Sequence, residues 1–451
     1  MSGFDPSACN FKGSSNTPST ILLLPNAIDV EETLNPVVTS SFVLNPHGSR
    51  EVHSAITEIT DGTGTRRIIS GDFPTSFPPS VPLGSAGSGK LNFDEVTAIA
   101  VPTDGQSLLV TERIPDFQRN DQKDCGRVTR VDRVTGLRTL VTGCDPTTGS
   151  LVGATGDDAL FAPTGIAIED DGQHFVVADA SRGLVLRLDQ TGQRSETLFG
   201  LFKGDGPSFS FPSGVTEVNG AIFVADQSAV FRVDENGQRT LISGQIAGNI
   251  TLAANPTQGS GLPFVTLRGI AAEPSGTLLV ADLLFGYPGP FPNFATAFDL
   301  ASTADLYCAA LDHTPPPFSQ PAKKTPGQTG GILRVDAAGN RDLISGPGKG
   351  SGEPFFLPRT VAIEPGGTLL VVDVLHGVQC TGAKAQRPPN NGPLNVGAGI
   401  RVDAVTGNRT LLSGYGSSNN NKNAETPFQF LNGVTVDPQS GNVFVVDAGL
   451  A

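Results

Sequence analysis

The chain of 451 residues contains 55 Gly and 35 Pro but only 16% charged residues, which is typical of a large, turn-rich β protein and unlike a helical or disordered chain. Its formal charge of -14, with no basic cluster beyond Lys323 and Lys324, argues against a phosphate-backbone ligand, so we predict that it binds no nucleic acid. The apolar run from Ile21 to Pro25 is too short for a membrane span or a signal core, and we predict no transmembrane segment.

Residues 55–451 repeat one pattern of short strands. Each repeat starts with an apolar strand such as "TGIAI" from Thr164, and a Gly-containing turn leads to a second strand that ends in an acid. These acids are Glu112, Asp179, Asp226, Asp282, Asp373 and Asp447. We interpret them as structural groups that accept backbone N–H bonds at the start of the following loop.

A third and a fourth strand complete each repeat. The third strand ends in Asp, as in "VFRVD" at Asp234, and the fourth ends in Gly, as in "RTLISG" at Gly244. Short runs of Val, Ile, Leu and Thr between Gly-rich turns are typical of antiparallel hairpins. Each repeat is therefore predicted to be a four-stranded meander.

Six such sheets predict an all-β fold, a six-bladed β-propeller of four-stranded antiparallel blades, because each sheet needs neighbours to cover its apolar faces. The last repeat supplies only its first two strands, "NGVTVDPQSGNVFVVD" from Asn432. The missing two are "AITEITDG" from Ala55 and "TRRIISG" ending at Gly71. We therefore predict that N-terminal strands close the last blade, that residues 55–451 form the propeller, and that 1–54 form a separate segment packed on the loop face.

The Gly-led strand, the "VAD" strand end at Asp226 and the "RVD" hairpin at Asp234 resemble the NHL-type propeller repeat, and more loosely gluconolactonase-like and streptogramin-lyase-like six-bladed propellers. The resemblance covers residues 55–451 and implies the fold, because these families include scaffolds, receptors and enzymes. Gluconolactonase-like propellers hold a divalent metal with channel carboxylates and Asn, and streptogramin-lyase-like ones use a channel His with an acid. The strand entrances here offer Asn432, Glu95 and Asp94 but no His, so neither catalytic set is transferred.

The insertions are predicted to lie on one face, because the second-to-third and blade-to-blade connections of a meander propeller emerge on the same side. Asp282 and Asp336 are separated by 53 residues, whereas Asp226 and Asp234 are separated by 7. The segments assigned to this loop face are 1–54, 113–126, 283–331 and 374–399. Loops on a rigid scaffold commonly carry function, so this face is the predicted working surface.

Six side chains are predicted to surround the mouth of the central channel on the loop face. They occupy the same position of each first strand and, together with Glu95, they are the candidate ligand-binding residues: Thr97, Thr164, Ser213, Arg268, Arg359 and Asn432. Arg268 and Arg359 are adjacent by blade order, and paired guanidinium groups bind carboxylates or phosphates. The alternative is that Glu95, Asp94 or loop acids neutralise these arginines.

All five cysteines fall in segments assigned to the loop face, which indicates disulfides formed in an oxidising, extracellular or periplasmic compartment. Cys125 and Cys144 flank one outer hairpin, and Cys308 and Cys380 come from the insertions of adjacent blades, so these are the two predicted pairs. Cys9 is left over; it is free, pairs between chains or displaces one of those partners.

Cys308 and His313 in "CAALDH", with His376 and Cys380 in "HGVQC", provide an alternative to the second disulfide, since two thiolates and two imidazoles can hold zinc. The spacings are looser than those of zinc-finger motifs. No cofactor is indicated with certainty; the possible one is a divalent metal, calcium or zinc.

We favour an exported binding or interaction module for a protein, glycan or small polar ligand. The stretch "FGYPGPFPNF" from Phe285 suits a contact surface, although packing onto the propeller explains it equally well. One alternative is a metal-dependent, lactonase-like hydrolase, or a lyase, with its site in the channel mouth. The other is a structural subunit of an extracellular assembly that self-associates through the N-terminal segment. Whether the protein is an enzyme stays open.

Overall fold

A computed structural model describes most of the repeat region, in residues 52–59, 66–71, 93–114, 125–145, 148, 150–153, 159–199, 204–246, 257–283, 330–374, 376, 380–381, 384–385, 397–414, 428 and 431–450. These residues form antiparallel β-strands joined by turns, within one compact unit, Arg50–Ala451. Six sheets each contain four consecutive blade strands. The predicted all-β, six-bladed β-propeller is confirmed.

Each of the first three blades has its strands in the order first, second, third, fourth from one edge of the sheet to the other. Blade 1 contains β3 (Glu95–Ala100), β4 (Ser107–Ile114), β5 (Cys125–Asp132) and β6 (Arg138–Cys144), with a short fifth strand, β7 (Leu151–Val152). Blade 2 contains β8 (Pro163–Ile168), β9 (His174–Asp179), β10 (Leu184–Asp189) and β11 (Arg194–Phe199). Blade 3 contains β12 (Pro212–Val218), β13 (Ala221–Asp226), β14 (Ala229–Val233) and β15 (Arg239–Gln245), with a fifth strand, β16 (Thr257–Gln258). The two fifth strands were not predicted.

Blades 4 and 5 have the same order. Blade 4 contains β17 (Leu267–Ala272), β18 (Leu278–Asp282), β19 (Gly331–Val335) and β20 (Arg341–Ser345). Blade 5 contains β21 (Pro358–Ile363), β22 (Leu369–Asp373), β25 (Ala398–Val402) and β26 (Arg409–Gly414). A separate small hairpin, β23 (Cys380–Thr381) with β24 (Lys384–Ala385), lies between its second and third strands in sequence.

Blade 6 joins the two ends of the repeat region, as predicted. It contains β27 (Leu431–Val436), β28 (Val443–Leu450), β1 (Val52–Ile59) and β2 (Arg66–Gly71), in that spatial order. The register between β1 and β28 runs without interruption from the pair Val52 and Leu450 to the pair Ile59 and Val443. Strand β1 begins at Val52, three residues before the predicted start. The predicted packing of residues 1–54 on the loop face otherwise lies outside the described residues.

The hydrophobic core lies between the blades. Five apolar clusters each combine residues of two consecutive blades, from the interface of blades 1 and 2 to that of blades 5 and 6. Second strands are mostly buried, and all eight residues of β4 are inaccessible or nearly so. Both faces of each sheet are therefore covered, which is the physical reason that single repeats cannot stand alone.

The seam between blade 6 and blade 1 also carries polar ties. Nη1 of Arg133 donates to Oδ2 of Asp437 at 2.9 Å, and its guanidinium carbon lies 4.5 Å from the centre of the Phe444 ring. Oγ of Ser70 donates to the carbonyl oxygen of Gly136 at 2.7 Å. The shared sheet joins the two ends of the repeat region to each other, and these side-chain contacts hold both ends to blade 1.

The first strands of the six blades contact each other in a closed cycle, and they therefore line the channel. Their close approach explains why Gly follows the predicted channel-mouth residue in four of the six repeats, as Gly269 follows Arg268. A Cβ added to Gly269 would lie 2.6 Å from Cα of Thr360, and one added to Gly214 would lie 2.7 Å from the carbonyl oxygen of Arg268. Larger side chains at these two positions would push neighbouring blades apart.

The acids that end the second strands are structural, as predicted, but they bond to a different segment. Asp282 accepts from the N–H groups of Val265 and Thr266 at 2.7 and 2.9 Å, in the segment before the first strand of its own blade. Asp373 accepts in the same way from Phe356 and Leu357. The expected bonds to the following loop are seen with Asp179, which contacts the N–H groups of residues 181 and 182 in addition to the preceding segment. In these blades, the acid at the end of the second strand therefore fixes the blade-to-blade connection that precedes the first strand, at the loop end.

Candidate functional site

A β-bulge interrupts the first strand of every blade at the same position. In blade 4, for example, Leu267 pairs with Asp282 and Gly269 pairs with Ala281, so Arg268 has no cross-strand partner. The other five first strands skip one residue in the same way. The skipped residues are the six that the sequence places around the channel mouth: Thr97, Thr164, Ser213, Arg268, Arg359 and Asn432. Bulges re-aim side chains, and here they set these six apart from the ladder. We call them the mouth ring.

Four members of the mouth ring tie one blade to the next. Oγ1 of Thr97 donates to the carbonyl oxygen of Pro163, and Oγ1 of Thr164 to that of Pro212, both at 2.7 Å. Ser213 donates to the carbonyl oxygen of Leu267 at 2.9 Å, and Nδ2 of Asn432 to that of Val96 at 2.6 Å. Each acceptor lies in the first strand of the following blade. The hydroxyl hydrogens of Thr97, Thr164 and Ser213 and one amide hydrogen of Asn432 are therefore already engaged.

The other two members of the mouth ring are the arginines. Arg268 is 7% exposed, its guanidinium carbon lies 5.0 Å from the centre of the Phe211 ring, and burial lowers its pKa to about 10. Arg359, in the next blade, is partly exposed. Burial, followed by repulsion from Arg268, lowers the pKa of Arg359 to about 9, while Glu95 opposes this shift. The structure thus brings two guanidinium groups and a carboxylate within electrostatic reach of each other.

Glu95 is shared between two cations. Its Oε2 lies 3.4 Å from Nη1 of Arg113, at the loop end of blade 1, and both side chains are nearly buried. The same carboxylate acts on Arg359 in blade 5. Glu95 thus has two positively charged neighbours, Arg113 and Arg359. Arg113 was not among the predicted site residues, although it lies in a segment assigned to the loop face.

Blade 1 contains a buried ion pair between directly opposite residues of its second and third strands, an arrangement that the described residues of the other blades do not repeat. Arg127 and Glu112 are both 0% exposed; Nε of Arg127 donates to Oε1 of Glu112 at 3.0 Å, and Nη2 donates to Oε2 at 2.6 Å. Thr129 also donates to Glu112, and Asp94 lies 3.5 Å from Arg127. The remaining blades place Leu184, Ala229, Gly331, Ala398 or Ala55 opposite an Asp. The pair fixes the loop end of blade 1 beside the mouth ring.

His376, one of the four candidate zinc ligands, contacts carboxylates. Its Nε2 lies 3.0 Å from Oε2 of Glu353 and its Nδ1 lies 3.4 Å from Oδ2 of Asp373, while its ring packs edge-on against Phe356. Burial alone would lower the pKa of His376, but the hydrogen bonds to Asp373 and Glu353 raise it to about 9. Two carboxylate neighbours therefore hold a charged imidazolium. Cys308, His313 and the side chain of Cys380 lie outside the described residues, so the zinc hypothesis and the second disulfide stay predictions.

The buried His376 predicts a pH dependence of stability. Its pKa is about 9 in the folded protein and 6.5 in an unperturbed chain, so its contribution is complete below about pH 6.5 and is lost as the pH rises through about 9. We expect the free energy of unfolding to fall by on the order of 3 kcal/mol over this range. Denaturant unfolding from pH 6 to 10 should show a smaller fall for His376→Gln. Parallel curves for the two proteins would contradict the charged state inferred here.

One group at the opposite, tight-turn end of the propeller resembles a metal site in composition. Glu169, Asp171 and His174 place one possible ligand atom each within 4.8 Å of one another. However, Arg187 donates to Oε1 of Glu169 at 2.7 Å and lies 3.8 Å from Asp171, while Nδ1 of His174 contacts Asp171. The positive charge of the group is already supplied by Arg187, and the cluster is an ion-pair network.

Glu95 and Asn432, the channel-mouth residues that a metal-dependent hydrolase would use, fit a cation poorly. Glu95 is paired with Arg113, and Asn432 uses its amide nitrogen on Val96. Although Oδ1 of Asn432 is buried with no donor among the described residues, the neighbouring ring positions are Arg359 and, beyond it, Arg268. A divalent cation would be repelled by these groups, whereas an anion would be attracted.

A disulfide joins Cys125 and Cys144, as predicted, with their Cα atoms 6.2 Å apart. Cys125 begins β5 and Cys144 ends β6, so the strands extend further toward the loop end than the motif indicates. Together with Ile114 and Leu151 they form a small apolar cluster. The bond joins the third and fourth strands of blade 1 at the end that also carries the Arg127 and Glu112 pair.

No family of known proteins matches the sequence, and no curated protein matches it either. Among the described residues, no helix is long and apolar enough to cross a membrane.

Solved structures match the fold at low sequence identity. The structure of a nidogen–laminin complex matches with a TM-score of 0.43 and 11% identity, over 85% of this chain and 98% of that chain. A gluconolactonase from Xanthomonas campestris matches with a TM-score of 0.41 and 13% identity, over 80% and 87%. A catalytically inactive virginiamycin B lyase from Staphylococcus aureus with quinupristin matches with a TM-score of 0.41 and 11% identity, over 88% and 96%.

Proposed function

We propose that the protein is an exported binding module that contacts a small polar ligand at the loop-side mouth of its channel. The observation that carries this proposal is the mouth ring. Six bulges present six side chains at equivalent positions, and these side chains differ in type while the surrounding strands remain alike. Equivalent positions that differ are expected where a repeat protein distinguishes a ligand.

The two ends of the propeller support this assignment in different ways. At the loop end, the mouth ring contains the two arginines Arg268 and Arg359, and the carboxylate of Glu95 acts on Arg359. At the opposite end, short turns close the strands, and several acids bond within their own turn; Asp403, for example, accepts from the N–H groups of Val405 and Thr406. Ligand-directed chemistry is thus concentrated at the loop end.

Export is supported by the disulfide between Cys125 and Cys144, because disulfides persist in oxidising compartments. The hydrolase or lyase alternative would require a metal or a histidine at the mouth, and the described mouth residues favour an anion. The binding function is therefore the better supported of the two.

A thermal-shift experiment tests the binding face. The probes are glucose, choline, malate and inorganic phosphate, and the proteins are the unsubstituted chain, Arg359→Gln at the mouth ring, and Arg232→Gln on an exposed position of β14. We expect a stabilising probe to lose its effect in Arg359→Gln and to keep it in Arg232→Gln. Equal stabilisation of both variants, chemical turnover of a probe, or no stabilisation by any probe would overturn the proposal.

A further inference from the structure

Two asparagines are followed two positions later by Thr, with a residue other than Pro between them, which is the acceptor pattern for N-linked oligosaccharides. They are Asn249, in "NIT", and Asn408, in "NRT". Asn249 lies outside the described residues. Asn408 ends the turn between β25 and β26, at the tight-turn end of blade 5, and both Asn408 and Thr410 are exposed. The acceptor pattern at Asn408 is therefore accessible in the folded protein.

The side chain of Asn408 is held through its oxygen, which leaves its nitrogen unused. Oδ1 accepts from the N–H group and from the hydroxyl group of Ser351, at 2.9 and 2.8 Å. Because a backbone N–H can only donate, the atom that faces Ser351 is the oxygen of the amide. Nδ2 of Asn408 and the hydroxyl group of Thr410 have no hydrogen-bond partner within the part of the chain that the structure describes. The nitrogen that an oligosaccharide would join is thus unoccupied.

Blade 4 contains a matched asparagine that lacks the acceptor pattern. Oδ1 of Asn340 accepts from the N–H group and the hydroxyl group of Ser260 at 3.0 and 2.7 Å, which is the same contact as in blade 5. Here, however, Nδ2 donates to Oδ2 of Asp336 at 3.0 Å, and the residue two positions later is Asp342. The two blades therefore share the structural contact and differ in the two features that an acceptor needs, an unoccupied amide nitrogen and a Thr.

We infer that Asn408 is a modification site that takes an N-linked oligosaccharide when the chain enters a secretory compartment that carries out this reaction. This inference rests on the export that is part of the proposed function, and the disulfide between Cys125 and Cys144 supports passage through an oxidising compartment of that kind. It concerns a surface at the opposite end of the propeller from the mouth ring.

The reaction transfers a sugar chain and changes no oxidation state. The donor is an oligosaccharide linked to a lipid pyrophosphate. A bond forms between Nδ2 of Asn408 and C1 of the first sugar, while the bond between C1 and the pyrophosphate oxygen breaks. Nδ2 loses one proton to a base of the transferring enzyme, and the lipid pyrophosphate leaves.

The place of Asn408 in the sheet suits a bulky, hydrophilic group. β26 is the outermost strand of blade 5, and the connection pairs with it at Arg409 through Gly352. In blades 1 and 3, β7 and β16 cover the fourth strand, whereas no described strand lies along the outer side of β26. Exposed strand edges invite pairing with other chains. An oligosaccharide at Asn408 stands beside this edge, hinders such pairing and leaves the channel mouth open.

Peptide mass spectrometry of the full chain, secreted from eukaryotic cells behind a cleavable signal, tests the inference. Release of the sugar by a peptide N-glycosidase in heavy-oxygen water leaves a labelled Asp at each modified asparagine, and we expect this label at Asn408. Thr410→Val removes only the hydroxyl group and should lower the labelled fraction by about tenfold or more, whereas Thr410→Ser should keep it. Asn340→Gln is the matched control in blade 4 and should leave the labelled fraction unchanged.

Two outcomes would overturn the inference. One is an unlabelled Asn408 in secreted protein that carries the disulfide, whether or not Asn249 is labelled, and the other is equal labelling after Thr410→Val. Should Thr410→Val not be secreted, Thr410→Ala provides the same test. The thermal-shift experiment is independent of this one: a labelled Asn408 without ligand binding contradicts the binding function alone, and an unlabelled Asn408 with ligand binding at the mouth contradicts this inference alone.

Discussion

A chain that begins at residue 72 is expected to lose cooperative folding, whereas a chain that begins at residue 50 is expected to keep it. The longer chain retains β1 and β2, whereas the shorter one leaves β28 at a sheet edge, paired with β27 alone. Ile56 and Ile59 of β1 are both 0% exposed, and each contributes about 2 to 5 kcal/mol if it behaves as a typical core residue. Circular dichroism during denaturant unfolding would measure the difference.

A circular permutant is the control for this truncation. Because Val52 pairs with Leu450, residues 50–71 can follow residue 451 through a short turn and occupy the same place in blade 6. We expect the permuted chain, residues 72–451 followed by 50–71, to unfold as cooperatively as the chain of residues 50–451. A truncated chain of residues 72–451 with the same unfolding transition would show that the terminal strands do not close the ring.

Replacing Arg127 by Ala is expected to destabilise the fold by about 3 to 5 kcal/mol. Removal of one partner of a buried ion pair leaves the other charge uncompensated, and here Glu112 would remain at 0% exposure without its cation. The free energy of unfolding, obtained from denaturant curves, is the measurement. Arg133→Ala is not a suitable control because it breaks the blade 6 seam, so Arg232→Ala, at an exposed position, is used instead.

The repeat itself supplies a rescue for this substitution. Blades 3 and 5 carry Ala opposite Asp, as Ala229 with Asp226 and Ala398 with Asp373. The double variant Glu112→Asp with Arg127→Ala gives blade 1 the same pair, and we expect it to recover at least half of the lost stability. Strictly additive effects of the two substitutions would contradict the coupling between these side chains.

The fold was predictable because six copies of one pattern constrain each other. A single "RVD" hairpin indicates only two strands. Its recurrence indicates four strands in each blade and shows that the last repeat has only two of them. The match between Ala55 in β1 and Asp447 in β28 follows from that count. The short strands β7 and β16 were not predictable, because they are outer-edge pairs formed by irregular segments rather than by the repeat.

The equivalence of the six ring positions was predictable from the repeat, but their contacts were predictable only in part. Alignment of the repeats located the mouth ring, but it did not reveal that the ring residues are bulged, since a bulge shows in cross-strand register and not in one strand's sequence. The inter-blade bonds of Thr97 and Asn432 depend on that geometry. The buried pair did leave a signal: Arg127 stands where the other copies have small or apolar residues, and Glu112 where they have Asp.

The partners of His376 could not be predicted from the sequence for a different reason. A nearby Cys380 suggests metal chemistry, because the two residue types are close along the chain. Asp373 is also close in sequence, but the other partner, Glu353, comes from the blade-to-blade connection that the Asp373 carboxylate fixes in place. Only the tertiary fold brings these two acids to one imidazole.

The bulges separate the chemistry of the mouth from the construction of the blades. A residue outside the register can change its size or charge while the strand pairing on either side stays the same, and Thr97, Arg268 and Asn432 already show three solutions in one chain. At such positions, one side chain can be replaced by another without a change in the strand pairing. Selection, or a library randomised at Arg268 and Arg359, can therefore retune what the channel recognises on an unaltered scaffold.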